Sequence, residues 1–329
     1  MLAEMITRLF ERSLDDAAQA AAREGQWLPA LWAEVEEMGL PLALLTEDQG
    51  GFGLSFAEAG ETLRLLGSHA MPLPVAETMA ANQLFAAAGL PLAAGAAGLA
   101  RADDLALQNG RLTGTVTRVA WGGQLDCLAL AVGDKLYRVP RAGWTLAEAG
   151  TAANFHPRPS LSIDWAVDAE AALPWCPLAS GATVRAYQIA GALETALDMT
   201  LGHTATRVQF GKPLQKNQVV QHELAKLAGE LACATAAADL AGEALARRDV
   251  LGVAAGTLRA REAATAGAAI ATQMHGAIGF TREHRLHLYT TSLWTWRDEF
   301  GGQVSWAKLL GSAALAAGGP GYWPMVTAL

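Results

Sequence analysis

Three short clusters in this 329-residue chain hold side chains or backbone turns that could do chemistry. In Gln273-Met274-His275-Gly276-Ala277-Ile278-Gly279-Phe280 an H-G-x-x-G turn closes an alanine-rich run. Glycines at such a turn let backbone N–H groups come close to an anion such as a pyrophosphate. A second cluster, Arg207-Val208-Gln209-Phe210-Gly211-Lys212-Pro213-Leu214 with Gln218 beyond it, lies at a helix–loop–helix junction. Gly211 and Pro213 there suit a helix stop. The third, Arg297-Asp298-Glu299-Phe300-Gly301-Gly302, sets two carboxylates beside a guanidinium. Taken singly, each cluster has a plain structural reading: a core histidine, a capped turn with Phe210 packed inside and Arg207 near a helix C-terminus, and a solvated Arg-Asp-Glu turn.

Long helices must position these clusters. Ile189, Leu193, Leu197 and Leu201 recur at four-residue steps, Leu224, Leu227 and Leu231 mark a second helix, and the alanine-rich run from Val253 to Met274 a third. A final helix over Val304–Ala317 uses Trp306, Leu309 and Leu310. Alanine-rich helices pack closely, so residues 179–329 read as a four-helix bundle. Upstream, 1–95 is an amphipathic helical domain, with Leu2, Ile6, Leu9 and Leu14 spaced for one face and a Ser55–Glu58 capping box predicting a helix start. Between them, 96–178 is a small β domain whose alternation runs from about Leu105 to Leu173. Asn109-Gly110 and Gly133-Asp134 supply its hairpin turns. The fold class is mostly α with a small, β-barrel-like middle domain.

Composition narrows the partners. Lys and Arg number 24 against 32 Asp and Glu, and the basic residues are scattered, which argues against nucleic acid. No uninterrupted apolar stretch reaches the roughly 20 residues needed to span a bilayer. The early run is interrupted by Glu4, Arg8, Glu11 and Arg12, unlike a signal peptide, so the expected location is the cytoplasm. Cys127, Cys176 and Cys233 lack CxxC spacing, predict neither disulfide nor metal site, and read as core thiols.

Taken jointly, the clusters say more. R-x-Q-F-G-x-P-L with a following Gln, then Q-x-H-G-x-x-G-F roughly 65 residues later, resembles the acyl-CoA dehydrogenase family. Thr46-Glu47-Asp48-Gln49-Gly50-Gly51-Phe52-Gly53-Leu54-Ser55 is similar to that family's Pro-Glu-x-x-Gly-Gly-x-Gly-x-Ser turn, and the helix–β–helix order is its layout. The resemblance implies an FAD cofactor and an acyl-CoA substrate, with an electron-transfer flavoprotein as acceptor. It implies that Arg207, Gln209, Phe210 and Gln218 contact the pyrophosphate and adenosine side of an FAD held largely by a neighbouring subunit. Gln273, His275, Gly276 and Ala277 would meet the same part of that cofactor. A shared site makes the protein a homo- or hetero-oligomer, a dimer or tetramer.

The family's catalytic Glu precedes Gly-Thr after the H-G-x-x-G helix, and sliding that pattern along this chain reaches Glu299, where Phe300 replaces the glycine. A base at the start of the first bundle helix is closed off, because Arg185 follows Val184. The family's Thr-Glu-Pro-Gly-x-Gly-Ser-Asp stretch and Trp-Ile-Thr-Asn strand, which hold the flavin ring, are missing; the strand here reads Arg118-Val119-Ala120-Trp121. Two readings result. In one the chain is a working dehydrogenase with Glu299 as base; in the other it is a non-catalytic partner that completes a neighbour's FAD site in a heteromeric enzyme.

Overall fold

The computed structural model describes residues 2–209 and 211–328. Phe210 therefore lies outside the described residues. The chain divides into two compact units, one taking the residues up to Ala59 with Met71–Val184, the other Gly60–Ala70 with the chain from Arg185 onward.

The first unit begins with α1 (Leu2–Ser13), α2 (Asp16–Arg23) and α3 (Pro29–Glu37). Asp15 caps α2, its carboxylate accepting from the Ala18 N–H at 2.8 Å. Ile6, Leu9, Phe10 and Leu14 are buried. The Ser55–Glu58 box forms, with Glu58 accepting from the Ser55 N–H at 2.9 Å, yet residues 56–59 make a turn and α4 (Gly60–Ser68) opens only after it. The box thus closes the loop ahead of the helix it was expected to start.

After α5 (Val75–Ala87) come eight strands: β1 (Ala97–Arg101), β2 (Ala106–Gln108), β3 (Arg111–Val116), β4 (Cys127–Val132), β5 (Lys135–Pro140), β6 (Trp144–Glu148), β7 (Ser160–Ala166) and β8 (Glu170–Ala172). They form two four-stranded sheets, ordered β1-β4-β5-β8 and β2-β3-β7-β6. The only parallel pair within these sheets is β1 with β4. Asn109 and Gly110, both at positive φ (49° and 72°), turn β2 into β3 as their types predict. Strand β1 starts ahead of the expected alternation because Ala97 to Ala100 are all buried, which erases the period of two.

Helices build the second unit: α4, the part of α6 (Pro177–Thr206) from Arg185 on, α7 (Gln218–Ala246), α8 (Val250–His275), α9 (Leu286–Asp298) and α10 (Gly302–Thr327). Small residues let their backbones meet. A Cβ on Gly67 of α4 would lie 2.1 Å from the Gln188 carbonyl oxygen, and one on Gly191 of α6 only 1.9 Å from the Arg64 carbonyl oxygen. Alanines of α7 (Ala234, Ala237, Ala238, Ala241) and of α8 (Ala254, Ala260, Ala263, Ala264) are buried in the same way. Asp249 caps α8 by accepting from the Leu251 and Gly252 N–H groups at 3.0 and 3.1 Å. Helix α10 breaks at Gly318, and Trp306 is its buried residue. Cys233, expected in the core, is exposed on α7.

Crowding at these glycines sets a test. Gly191→Ala or Gly67→Ala should cost about 1–3 kcal/mol of stability by overpacking. Gly229→Ala, where an added Cβ meets nothing within 4 Å, should instead stabilise by up to about 1 kcal/mol through helix propensity. Urea unfolding curves on the three variants measure both.

Candidate functional site

The Arg207 cluster occupies the link from α6 to α7. The Arg207 N–H donates to the His203 carbonyl at 2.9 Å to end α6. Then β9 (Val208–Gln209) and β10 (Lys212–Pro213) pair as a two-rung antiparallel hairpin. Gly211 turns it at φ 78°, and the Leu214 N–H donates back to the Arg207 carbonyl at 2.9 Å. Arg207 and Gln209 are exposed, as is Gln218 in the first turn of α7.

At the end of α8, Gln273, Gly276 and Ala277 are exposed, whereas His275 is buried. Gly276 adopts φ 66° and ψ −143°, a region essentially closed to other residues, and nothing lies within 4 Å of where its Cβ would be. The His275 ring stacks on His203 of α6 with centroids 4.5 Å apart, and His284 lies 4.7 Å from His275 and 6.3 Å, edge-on, from His203. Its Nδ1 bonds the Ala271 carbonyl at 2.8 Å, and its Nε2 is buried without a partner. Burial pushes this imidazole down to about 4, against an upward pull from the Ala271 bond, with His203 and His284 adding to the depression. The stack joins the C-terminal ends of α6 and α8. Arg207 and Gly276 therefore emerge at one end of the helical unit, an exposed guanidinium and amides beside an open glycine turn. That set fits an anionic pyrophosphate; His275 serves beneath it, holding the two helices together.

Glu299 lies at the other end of this arrangement. It caps the C-terminus of α9, and its carboxylate accepts from Arg185 Nε at 2.6 Å, with side-chain exposures of 17% and 3% for the two partners. Arg185 also donates to Gln188, and its guanidinium sits 5.8 Å from the Trp296 ring and 5.4 Å from the Phe300 ring. Asp298, the neighbouring carboxylate, is exposed and paired with Arg297 at 3.4 Å. The chain leaves Glu299 through three successive positive φ values, 50° at Phe300, 93° at Gly301 and 60° at Gly302. At Phe300, where the sequence pattern called for glycine, a bulky residue therefore takes a backbone that glycine adopts freely.

Along α6, Arg185 and Arg207 are about 33 Å apart at 1.5 Å per residue. The structure thus brings the Arg207 and Gln273 sets together and keeps both away from Glu299. The sequence reading did not find Arg261, His203 or His284. Arg261 on α8 is 1% exposed and donates to the Arg297, Glu299 and Phe300 carbonyls, the latter two at 2.8 and 3.4 Å. Its sequence context, Arg259-Ala260-Arg261-Glu262, gives little sign of which arginine turns inward. Two positions apart, they point to different sides of the helix, and Arg259 pairs with Glu230 at 2.7 Å.

Comparison with known proteins fits this geometry. Residues 175–295, spanning α6 to α9, match the model of the acyl-CoA dehydrogenase C-terminal domain. Acyl-CoA dehydrogenase IpdE2 of Mycobacterium tuberculosis is 29% identical over 296 residues, covering 88% of either chain. Residues 175–295 thus match the C-terminal domain of the acyl-CoA dehydrogenase family, and the chain as a whole is similar to that family's proteins. Among solved structures with the acyl-CoA dehydrogenase fold, the Tcur3481-Tcur3483 steroid ACAD variant superposes with a TM-score of 0.85 at 23% identity, covering 97% of this chain and 98% of that one. The ChsE4-ChsE5 complex from Mycobacterium tuberculosis gives 0.81 at 21% identity, covering 96% of each. Against that family's pattern, Trp121 is 1% exposed, holds φ 53°, donates from Nε1 to the Pro72 carbonyl at 2.8 Å and packs edge-on to Trp27. It belongs to the core of the first unit. Among the described residues no helix is long and apolar enough to cross a membrane, and no His, Cys, Asp or Glu group could hold a metal.

The histidine stack predicts a pH dependence. With His275 near 4 when folded and about 6.5 when unfolded, the unfolded chain binds the extra proton, so this contribution is complete above pH 6.5 and is lost as pH falls toward 4. The loss should approach about 3 kcal/mol at about 1.4 kcal/mol per unit. Denaturant unfolding at a series of pH values should show that slope, and His275→Gln should flatten it.

Proposed function

We propose that this chain is a subunit of a flavin-dependent acyl-CoA dehydrogenase that converts an acyl-CoA thioester to the 2,3-enoyl-CoA, with Glu299 taking the α-proton. The observation that carries this is the placement of Glu299: a largely buried carboxylate, fixed to Arg185 at 2.6 Å, at the end of the helix that follows the H-G-x-x-G turn. Arg185 fixes where that carboxylate points. The aromatic rings of Trp296 and Phe300 keep water from the pair's flank. A bound FAD would supply the hydride acceptor for the β-hydrogen, with an electron-transfer flavoprotein as the onward electron acceptor. The α-proton goes to Glu299, so the two hydrogens leave as a proton and a hydride and the carbon–carbon double bond forms between them.

Arg207, Gln209, Gln218, Gln273, Gly276 and Ala277 would hold the pyrophosphate and adenosine of an FAD. The roughly 33 Å along α6 between that set and Arg185 is too long for one flavin to touch both Glu299's substrate and the Arg207 turn. The two sets accordingly serve different flavins, and the protein works as an oligomer in which neighbours exchange these contacts.

A second reading, a partner subunit that completes another chain's FAD site without catalysing, is favoured by Trp121, whose core position removes it from a flavin ring. The two structural neighbours named as pairs of chains support it as well, one of them a steroid ACAD. Purification of the chain alone, with flavin quantified per subunit, separates the readings. Near-stoichiometric flavin, bleached by acyl-CoA in the parent and at least about 100-fold more slowly in Glu299→Gln, is the outcome expected of the dehydrogenase. A colourless chain that turns yellow only with a co-expressed partner, with bleaching indifferent to Glu299, establishes the supporting subunit. Arg207→Ala should lower flavin retention under either reading, by about tenfold or more for a lost charge-assisted phosphate contact.

A further inference from the structure

Glu299's carboxylate is oriented by Arg185, yet its backbone stands in a segment that ordinary chain preferences do not maintain. Phe300, Gly301 and Gly302 follow one another at positive φ, and a bulky residue in that region is strained unless its surroundings hold it there. Trp306 contributes one restraint, its Nε1 donating to the Phe300 carbonyl at 2.9 Å. The larger one comes from α8. Arg261 donates from Nη1 to the Arg297 carbonyl and from Nη2 to the Glu299 and Phe300 carbonyls, bridging the last turn of α9 and the loop beyond it.

A guanidinium is a costly way to finish a helix. Exposed carbonyls at a C-terminus are commonly satisfied by water, by a glycine cap or by a solvated lysine. Here a cation that is 1% exposed does it, and burial pushes Arg261 down to about 10 although Glu299 and Asp298 pull the other way. Arg185 lies close enough to oppose it, so two buried cations converge on Glu299. What the planar fork achieves beyond capping is direction. With three carbonyls fixed by one rigid group, Glu299 loses the backbone freedom that would let its carboxylate swing away from Arg185.

We infer that Arg261 is a positioning residue: it grips the backbone on both sides of Glu299 and so fixes where that carboxylate points. The inference rests on the reading of Glu299 as proton acceptor, and the two fail separately.

Two variants test it in the protein as isolated, with any copurifying subunit: Arg261→Lys, which keeps a charge without the fork, and Arg261→Met, which removes both. Hydrogen exchange read by mass spectrometry on peptides covering 297–303 should rise at least about tenfold in both variants, with peptides elsewhere in α7 and α8 unchanged. The Glu299 carboxyl, followed by carbon-13 NMR and assigned by its absence in Glu299→Gln, should titrate higher in Arg261→Met, where a nearby cation is gone. In Arg261→Lys it should move less. If neither the local exchange nor the Glu299 titration changes, the inference is wrong. Global loss of protection in the lysine variant also overturns it, because Arg261 is then a fold-stabilising residue only. A Glu299→Gln variant that bleaches like the parent removes the proton-acceptor reading while leaving the exchange result standing.

Discussion

The second unit is organised by the cost of burying a carboxylate. Glu299 sits at 17% exposure against an arginine at 3%, whose guanidinium lies beside the Trp296 and Phe300 rings. Removing either partner would leave a charge uncompensated, which typically costs 3–5 kcal/mol, whereas the intact pair is close to neutral in stability. A pair with so little net gain is not explained by stability. Under the proposed function it is explained by a need for a carboxylate held at one place, and the surrounding residues then read as consequences of that need. Arg185 requires α6 to pass beneath the end of α9; Phe300 and Trp296 flank its guanidinium; Arg261 and Trp306 secure the loop.

Close backbone contact makes this arrangement stiff. Glycine and alanine rows let α4, α6, α7 and α8 approach until carbonyls stand where a side chain would otherwise be. The histidine stack joins α6 to α8 at one end, and the arginines join α6, α8 and α9 at the other. Under the proposed function the long α6 is the ruler between the end that would hold an anion and the end that would accept a proton. That helix length is what supports the proposal of sites shared between subunits.

Much of this was legible in the sequence for identifiable reasons. The long helices showed through their four-residue leucine and alanine steps, and the hairpins through Asn109-Gly110 and Gly133-Asp134, whose turn geometry few other residues accept. Glu299 was singled out by position alone. Its partner was not, because Arg185 lies more than a hundred residues earlier and no local spacing links them. Arg261 was hidden for a related reason: next to Arg259 in an alanine-rich helix, its burial depends on which side faces α9. Strand β1 escaped notice since a fully buried strand lacks alternation, and α9 because Thr290, Ser292 and Thr295 are buried polar residues that blur its apolar face. The histidines were visible as types, but their stacking depends on three segments meeting.

Glu299 as proton acceptor is the claim on which the functional account turns, and exchange of the α-hydrogen is its most direct reporter. The measurement is incorporation of solvent deuterium at the α-carbon of butyryl-CoA, and of a bulkier steroid-derived acyl-CoA, by the flavin-loaded assembly and by its Glu299→Gln counterpart. The account predicts incorporation with the parent protein for at least one of the two thioesters and its loss in the variant, with flavin content equal in both. Equal incorporation by parent and variant, or none by a parent that holds flavin, would contradict it.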